Sequence, residues 1–279
     1  MKILLMGATG NSATPAIKAL QEKGLRPVAA VRDIPKAKKH LGGDLDFVHF
    51  DYMDSSTFAP ALDGVNRLFL IAPPGTKDPA IVRNIMQVAK DKGVELILFQ
   101  SGRTSSSVEG KPLNQIEKDI DNNDLNCCIV RPAWFMQNFH TWTGTTLEDN
   151  EICLPAGDGK VAWVDVNDLG AAIATILSSD GHGGKRYDLT GSEALDHNQV
   201  ASIFSEVTGR SIPYKDLSDD AYVQKMIEKG WAEKSAKYVV WLCKRVQNGS
   251  EEKLSDDLPN LLGRPPKSFR EFVKDEFIR

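Results

Sequence analysis

Lys2-Ile3-Leu4-Leu5-Met6-Gly7-Ala8-Thr9-Gly10-Asn11-Ser12-Ala13 opens the chain, and its reading decides the fold. The apolar run imitates the start of a signal peptide. It stops at Gly7, well short of the roughly 7–15 residues of an exported h-region, so a buried β-strand is the better reading. The strand leads into Gly-x-x-Gly-x-x-Ala and then at once into a helical pattern. A dinucleotide pyrophosphate needs a tight turn, a backbone that it can approach closely, and free N–H groups at a helix N-terminus. Gly7 supplies the turn and Gly10 the close approach, while Ala13 keeps helix and strand near each other. Gly7, Thr9, Gly10, Asn11, Ser12 and Ala13 are therefore candidate cofactor-binding residues, with a merely structural turn as the alternative.

Working outward, Lys2–Met6, Pro27–Val31, Phe47–Phe50, Arg67–Ala72, Glu95–Phe99 and Asn126–Val130 read as strands. Several are apolar with little alternation, as expected of a parallel sheet covered on both faces. Ser12–Lys23, Ser55–Leu62, Pro79–Lys92 and Pro112–Asn122 carry helical spacing between them. The alternation predicts an α/β, Rossmann-type, doubly wound parallel sheet. Beyond it lie a strand expected at Val161–Val166, a helix at Asn167–Leu177 capped by Asn167 or Asp168, and helical patterns at Asn198–Thr208, Asp219–Gly230 and Ser235–Gln247. These readings give residues 1–150 as the NAD(P)-binding domain and 151–279 as a smaller, mostly helical substrate lobe. The lobe is expected to interleave, return partly to the sheet, and leave the ligand cleft beside it.

Composition excludes other classes. Of 279 residues, 34 are Lys or Arg and 38 Asp or Glu, a net charge of −4 that offers no basic field for a nucleic-acid backbone. With 41% hydrophobic and 26% charged residues the chain is an ordinary globular one. No window approaches the ~18 apolar residues of a membrane span, and a cytoplasmic location is expected. Cys127, Cys128, Cys153 and Cys243 form no C-x-x-C pair, and the five histidines are scattered. Buried thiols are expected rather than disulfides, and no metal site.

Arg32 ends the second strand, where a carboxylate suits the ribose hydroxyls of NAD and an arginine suits a 2′-phosphate. Asp33 follows directly, but Lys36, Lys38 and Lys39 add positive charge nearby. The balance favours NADPH (NADP+) over NADH. Asp51 and Tyr52 follow strand three at the expected adenine edge. Ala72, Pro73 and Pro74 follow strand four, at the switch point of such sheets. Gln100 and Ser101 end strand five near the expected nicotinamide position, where they hydrogen-bond a substrate or simply close a turn; Ser101 counts among the cofactor-binding candidates and Gln100 among the substrate-binding ones.

These pieces together resemble the NmrA-like atypical short-chain dehydrogenases/reductases. The resemblance rests on Gly7-Ala8-Thr9-Gly10, Val31-Arg32, Leu70-Ile71-Ala72-Pro73-Pro74, Val130-Arg131-Pro132-Ala133-Trp134-Phe135-Met136-Gln137-Asn138-Phe139, Gly157-Asp158-Gly159-Lys160 and Trp163–Asp168. The tail Leu262–Phe272 looks most like the ergot-alkaloid festuclavine/agroclavine dehydrogenase branch, which implies NADPH-dependent reduction of iminium intermediates. Pro132 and Lys111 complete the cofactor-binding candidates; Lys111 otherwise reads as a solvated residue at a helix start.

Ordinary short-chain dehydrogenases use Tyr-x-x-x-Lys, and here the pattern is missing. Four residues after Tyr52, Tyr187, Tyr214, Tyr222 and Tyr238 stand Ser56, Gly191, Ser218, Met226 and Leu242. Ketone reduction leaves an alkoxide and benefits from a proton donor. Iminium reduction gives a neutral amine, and a reduced quinone is resonance-stabilised, so both depend less on an enzymic acid. On the substrate side Trp134, Phe135, Asn138 and His140 stand with Gln100 as candidate binding residues, pocket wall and inter-lobe core being equally compatible with the aromatics. No catalytic residue is assigned.

The expected function is NADPH-dependent hydride transfer to a small hydrophobic electrophile, iminium or quinone-like. A non-catalytic NADP(H)-sensing regulator and a non-redox isomerase or cyclase remain as alternatives. The expected partner is a small hydrophobic substrate, with neither nucleic acid nor membrane, and a homodimer left open.

Overall fold

Ile3–Met6 forms strand β1, buried along its whole length. The computed structural model describes residues 1–42, 44–73, 75–122 and 125–278. After β1 come α1 (Ala13–Glu22), β2 (Val28–Val31), α2 (Ile34–Leu41), β3 (Asp46–His49), α3 (Phe58–Ala61), β4 (Arg67–Ile71), α4 (Ala80–Asp91), β5 (Leu96–Gln100), α5 (Arg103–Ser106), α6 (Pro112–Asn122) and β6 (Cys127–Pro132). The chain continues through β7 (Ile152–Leu154), α7 (Val166–Ser178), β8 (Arg186–Leu189), α8 (His197–Thr208), β9 (Tyr214–Asp216), α9 (Asp219–Glu228), α10 (Glu233–Gln247), α11 (Asp257–Leu262) and α12 (Phe269–Phe277).

Two compact units result, and neither is continuous in sequence. The first comprises Met1–Pro132, Val166–Leu189 and Asp257–Arg264. Its seven-stranded sheet has the order β3-β2-β1-β4-β5-β6-β8, with every pairing parallel. Strand order reverses between β1 and β4, so the loops after these two strands leave in opposite directions and open a crevice at their C-terminal ends. Helix α4 shows how local sequence meets this sheet: Val82, Ile85, Met86 and Ala89 share one helical face and are buried. Helix α7 lies against α1, where Gly170 permits the approach. A Cβ there would stand 2.6 Å from the Pro15 carbonyl carbon and 2.7 Å from Ala16 N.

The second unit comprises Ala133–Asp165, Thr190–Asp256 and Pro265–Arg279, described to Ile278. It holds the two-stranded parallel sheet β7-β9, helices α8, α9, α10 and α12, and an aromatic core. Capping boxes start α8 (Asp196 with Gln199) and α12 (Ser268 with Glu271). Glu151 is clamped by Lys215 and Lys225, each at 2.5 Å.

Three local expectations need correction. Val161–Val166 is no strand: it makes isolated bridges, Val161 with Leu195 and Val164 with Phe135, and α7 begins at Val166. Its apolar character reflects burial in a side-chain core, with Val161, Trp163 and Val164 all at most 1% exposed. Asn167 and Asp168 accordingly lie in the first turn of α7, beyond its cap, and Asp168 is buried and paired with Arg264 at 2.6 Å. Helix α2, unforeseen, runs where only basic charge was read. Asp33 caps it by accepting from Lys36 N–H at 2.9 Å, and a proline stands in its first turn.

Candidate active site

The turn after β1 has the geometry its glycines foretell. Gly7 adopts φ +64°, and a Cβ there would meet Ile71 Cγ2 at 2.9 Å. Gly10 N–H closes the turn onto the Gly7 carbonyl at 2.9 Å. Ser12 stands at the N-cap position of α1, but its side chain makes no capping bond. The leading N–H groups of a helix lack partners within it. At α1 no side-chain cap competes with an anionic ligand for them.

Next to this turn lies a cavity of about 350 Å³. Gly7, Ala8 and Thr9 form one wall; Ala30, Val31, Phe50 and Tyr52 form an apolar part; Arg32, Asp33, Lys36, Ala37 and His40 form the rest. Tyr52 is fixed there because its hydroxyl donates to the Ile71 carbonyl at the end of β4, at 2.6 Å. Burial raises its phenol well above the ordinary tyrosine range, so it stays a neutral donor. Arg32 is held by its backbone, whose carbonyl oxygen lies 3.1 Å from His49 Nδ1. Asp33 spends one carboxylate oxygen on the α2 cap.

The cavity thus has a polar, mainly cationic end and an apolar end beside a turn built for close approach. Those features fit a phosphorylated dinucleotide: anionic groups against the α1 terminus and Arg32, a flat base against Phe50 and Tyr52. Of the sequence candidates, Gly7, Thr9, Arg32 and Tyr52 meet in this cavity. Gly10, Asn11, Ser12 and Ala13 continue the same turn into α1.

The others are placed differently. Asp51 turns into its own loop, accepting from Met53 N–H at 2.9 Å, while its N–H donates to Thr57 Oγ1. Ala72 and Pro73 are half-buried beyond β4, with Thr76 donating to the Pro73 carbonyl at 2.6 Å; Pro74 lies outside the described residues. Gln100 and Ser101 are both buried at the end of β5, and Gln100 Oε1 and Ser101 Oγ have no hydrogen-bond partner. An unsatisfied buried polar atom costs about 1–3 kcal/mol, so these two mark a place where structure has yielded to something else. Lys111 is exposed just before α6, and Pro132 is buried at the end of β6.

Helix α6 turns Glu117 inward. Its carboxylate takes a two-oxygen contact from Arg131 Nε on β6, 3.1 Å to each oxygen, and a further bond from the same guanidinium. Glu117 raises the Arg131 guanidinium further above its already high value, and so holds it charged. The carboxylate is thus the ion-pair partner of Arg131.

Gln100 belongs to the first unit; Trp134, Phe135, Asn138 and His140 belong to the second. Trp134 packs edge-on against Trp142 and Trp163, with centroids at 5.1 and 5.6 Å, within the core of that unit. Phe135 and Asn138 are half-buried. His140 is exposed, stacks on Phe277 at 4.7 Å and faces Glu276 at 3.4 Å.

Lys36, His40 and Phe50 line the cavity without standing among the sequence candidates, Lys36 counting there only as nearby charge and Phe50 only as a strand residue. The recoverable signal for the first two is an Asp cap at 33 and a proline at 35, which start a helix with 36 and 40 on one face.

A profile of the NmrA-like family matches residues 1–273. The NAD(P)H azoreductase of Xenophilus azovorans is 28% identical over 276 residues, 98% of this chain and 96% of that protein. The agroclavine dehydrogenase of Claviceps fusiformis is 28% identical over 290 residues, 99% and 97% of the two chains. The crystal structure of an NADPH-dependent quinone oxidoreductase from Escherichia coli, complexed with NADPH, superposes with a TM-score of 0.89. It is 26% identical and 99% of both chains is covered.

Proposed function

The chain belongs to the NmrA-like family, and on that premise we propose that it is an NADPH-dependent oxidoreductase whose acceptor is a small, hydrophobic, electron-poor molecule, quinone-like or an iminium ion. The observation that carries the reading is the cavity beside Gly7, with Arg32 and Lys36 at one end and Phe50 and Tyr52 at the other. Relatives named for azo, quinone and agroclavine chemistry support it.

When bound, NADPH supplies a hydride; the chain's own residues do the rest. The Gly7–Ala13 turn receives the pyrophosphate on backbone N–H groups. Arg32 and Lys36 meet the 2′-phosphate, and the engagement of Asp33 in the α2 cap weakens its claim on the ribose hydroxyls that NADH would offer. Asp51, Ala72, Pro73, Pro74, Lys111 and Pro132 remain proposed contacts along the same C-terminal edge. Gln100 and Ser101, each with an orphaned polar atom, are the groups we assign to hold the acceptor's heteroatom. Trp134, Phe135, Asn138 and His140 remain proposed substrate contacts.

The absence of Tyr-x-x-x-Lys favours acceptors that need no strong acid. Positioning and exclusion of water then carry most of the rate. The test is NADPH oxidation by purified protein with quinones, cyclic iminium ions and simple ketones, together with dinucleotide affinity of Arg32→Ala. Turnover on the first two classes but not on ketones is expected, with NADPH binding at least about tenfold weaker in the variant, as for loss of one charge-assisted contact. Tight NADPH binding with no oxidation by any acceptor refutes the enzyme reading and leaves a sensor.

A further inference from the structure

Helix α2 carries His40 in its last turn, one turn beyond Lys36, and both line the cavity that Arg32 enters from the end of β2. We infer that His40 is a specificity-determining residue: protonated, it completes with Arg32 and Lys36 a three-cation wall that selects a 2′-phosphorylated dinucleotide over its unphosphorylated counterpart. The inference rests on the NADPH reading above, and extends it from two permanent cations to a third that comes and goes with pH.

The physical case starts from the surroundings of the ring. His40 is exposed. Its own helix also carries Lys36, Lys38 and Lys39, of which Lys36 lines the cavity, and the end of β2 adds Arg32 and Asp33. From β3 comes His49, held on the Arg32 carbonyl, and beyond β3 the neutral Tyr52; the Gly7–Thr9 wall brings no titratable side chain. Arg32 and Lys36, beside a single carboxylate that is turned into a cap, leave an excess of positive charge facing the cavity. A phosphate dianion placed among these groups favours the charged form of a neighbouring imidazole. An unphosphorylated ribose offers no such charge. Discrimination should therefore come with proton uptake, and only for the phosphorylated dinucleotide.

Titration calorimetry with the oxidised cofactors avoids any dependence on turnover. At pH 7.5 the 2′-phosphate is already nearly all dianion (second pKa about 6), so a proton taken up on binding comes from the protein. Binding of NADP+ and NAD+ is measured in buffers of different ionisation enthalpy, for the native chain, His40→Gln and His40→Arg. Being exposed at a helix end, position 40 tolerates both substitutions, which circular dichroism verifies.

The expected result is uptake of a fraction of a proton with NADP+ in the native chain alone, and none with NAD+. At pH 6.5 NADP+ should bind His40→Gln about three- to fivefold more weakly than the native chain, the range of one exposed ion pair. His40→Arg should restore the affinity without the uptake. NADP+ preferred over NAD+, but with the same proton balance in all three proteins, overturns the role of His40 and leaves the cofactor reading intact. No preference for NADP+ in the native chain overturns the cofactor reading itself.

Discussion

Replacing Gly7 by alanine tests the turn after β1, because two separate costs can be read from its geometry. Gly7 sits at φ +64°. An L side chain there costs about 1–2 kcal/mol, of which about 0.4–1 kcal/mol is returned by the stiffer unfolded chain. The added Cβ would also lie 2.9 Å from Ile71 Cγ2, against an optimal carbon–carbon separation of about 3.5–4.0 Å. Overpacking of that kind costs roughly 1–3 kcal/mol. Together Gly7→Ala should destabilise the first unit by about 2–3 kcal/mol.

Gly24, with φ +74° and nothing within 4 Å of an added Cβ, provides the reference: Gly24→Ala should carry only the backbone cost, about 1 kcal/mol. The assay is denaturant unfolding followed by far-ultraviolet circular dichroism, run as a double-mutant cycle with Ile71→Ala. Removing Cγ2 should relieve the contact, so the cost of Gly7→Ala should fall by at least about 1 kcal/mol in that background. Equal costs at positions 7 and 24, or perfect additivity with Ile71→Ala, would show that the close approach of Ile71 to the turn is not what excludes a side chain.

Further outcomes follow from the second unit, and all five tryptophans lie in its sequence segments, so tryptophan emission reports its unfolding. His197 is fully buried with neither ring nitrogen hydrogen-bonded, and burial lowers its pKa to about 4. The unfolded chain takes up that proton near 6.5, so stability drains away as pH falls from 6.5 toward 4. His197→Phe should therefore be about 2 kcal/mol more favourable at pH 5 than at pH 8; the same effect at both pH values refutes the buried-neutral assignment. Glu151, held by Lys215 and Lys225, has its pKa lowered to about 2. Its contribution is complete above about 4.5 and is lost as pH falls toward 2, so Glu151→Gln should cost roughly 2–3 kcal/mol at pH 7 and far less near pH 2.5. A pH-independent cost in acid melts would reject that clamp as the source.

Both His197 and Glu151 lie in the second unit, while the proposed cofactor cavity draws on the first. Among the described residues no group of three or more His, Cys, Asp or Glu is arranged to hold a metal ion, and no helix is long and apolar enough to cross a membrane. The four cysteines are buried and unpaired, with burial raising the thiols of Cys127, Cys128 and Cys243 to about 12. They are poor nucleophiles at neutral pH.

The central strands of the sheet and the glycine turn after β1 are legible in the amino-acid sequence. Parallel strands buried on both faces must be apolar throughout, so β1, β4, β5 and β6 announce themselves, and a turn at positive φ followed by a helix demands Gly7 where it stands. Edge strands carry no such signature: β8 reads Arg-Tyr-Asp-Leu and is invisible until β6 pairs with it. Helix α2 was hidden by its lysines, which leave only Ala37 fully buried, and with it His40 stayed out of sight. The tertiary structure alone decided which aromatics are core. Trp134, Phe139 and Trp163 have the composition of a substrate pocket, and only their packing, Trp134 edge-on and Phe139 tilted against Trp163, assigns them to the interior. It decided too that α7, β8 and α11 rejoin the first unit. Membership of a core depends on contacts between residues far apart in the chain, which no local periodicity records.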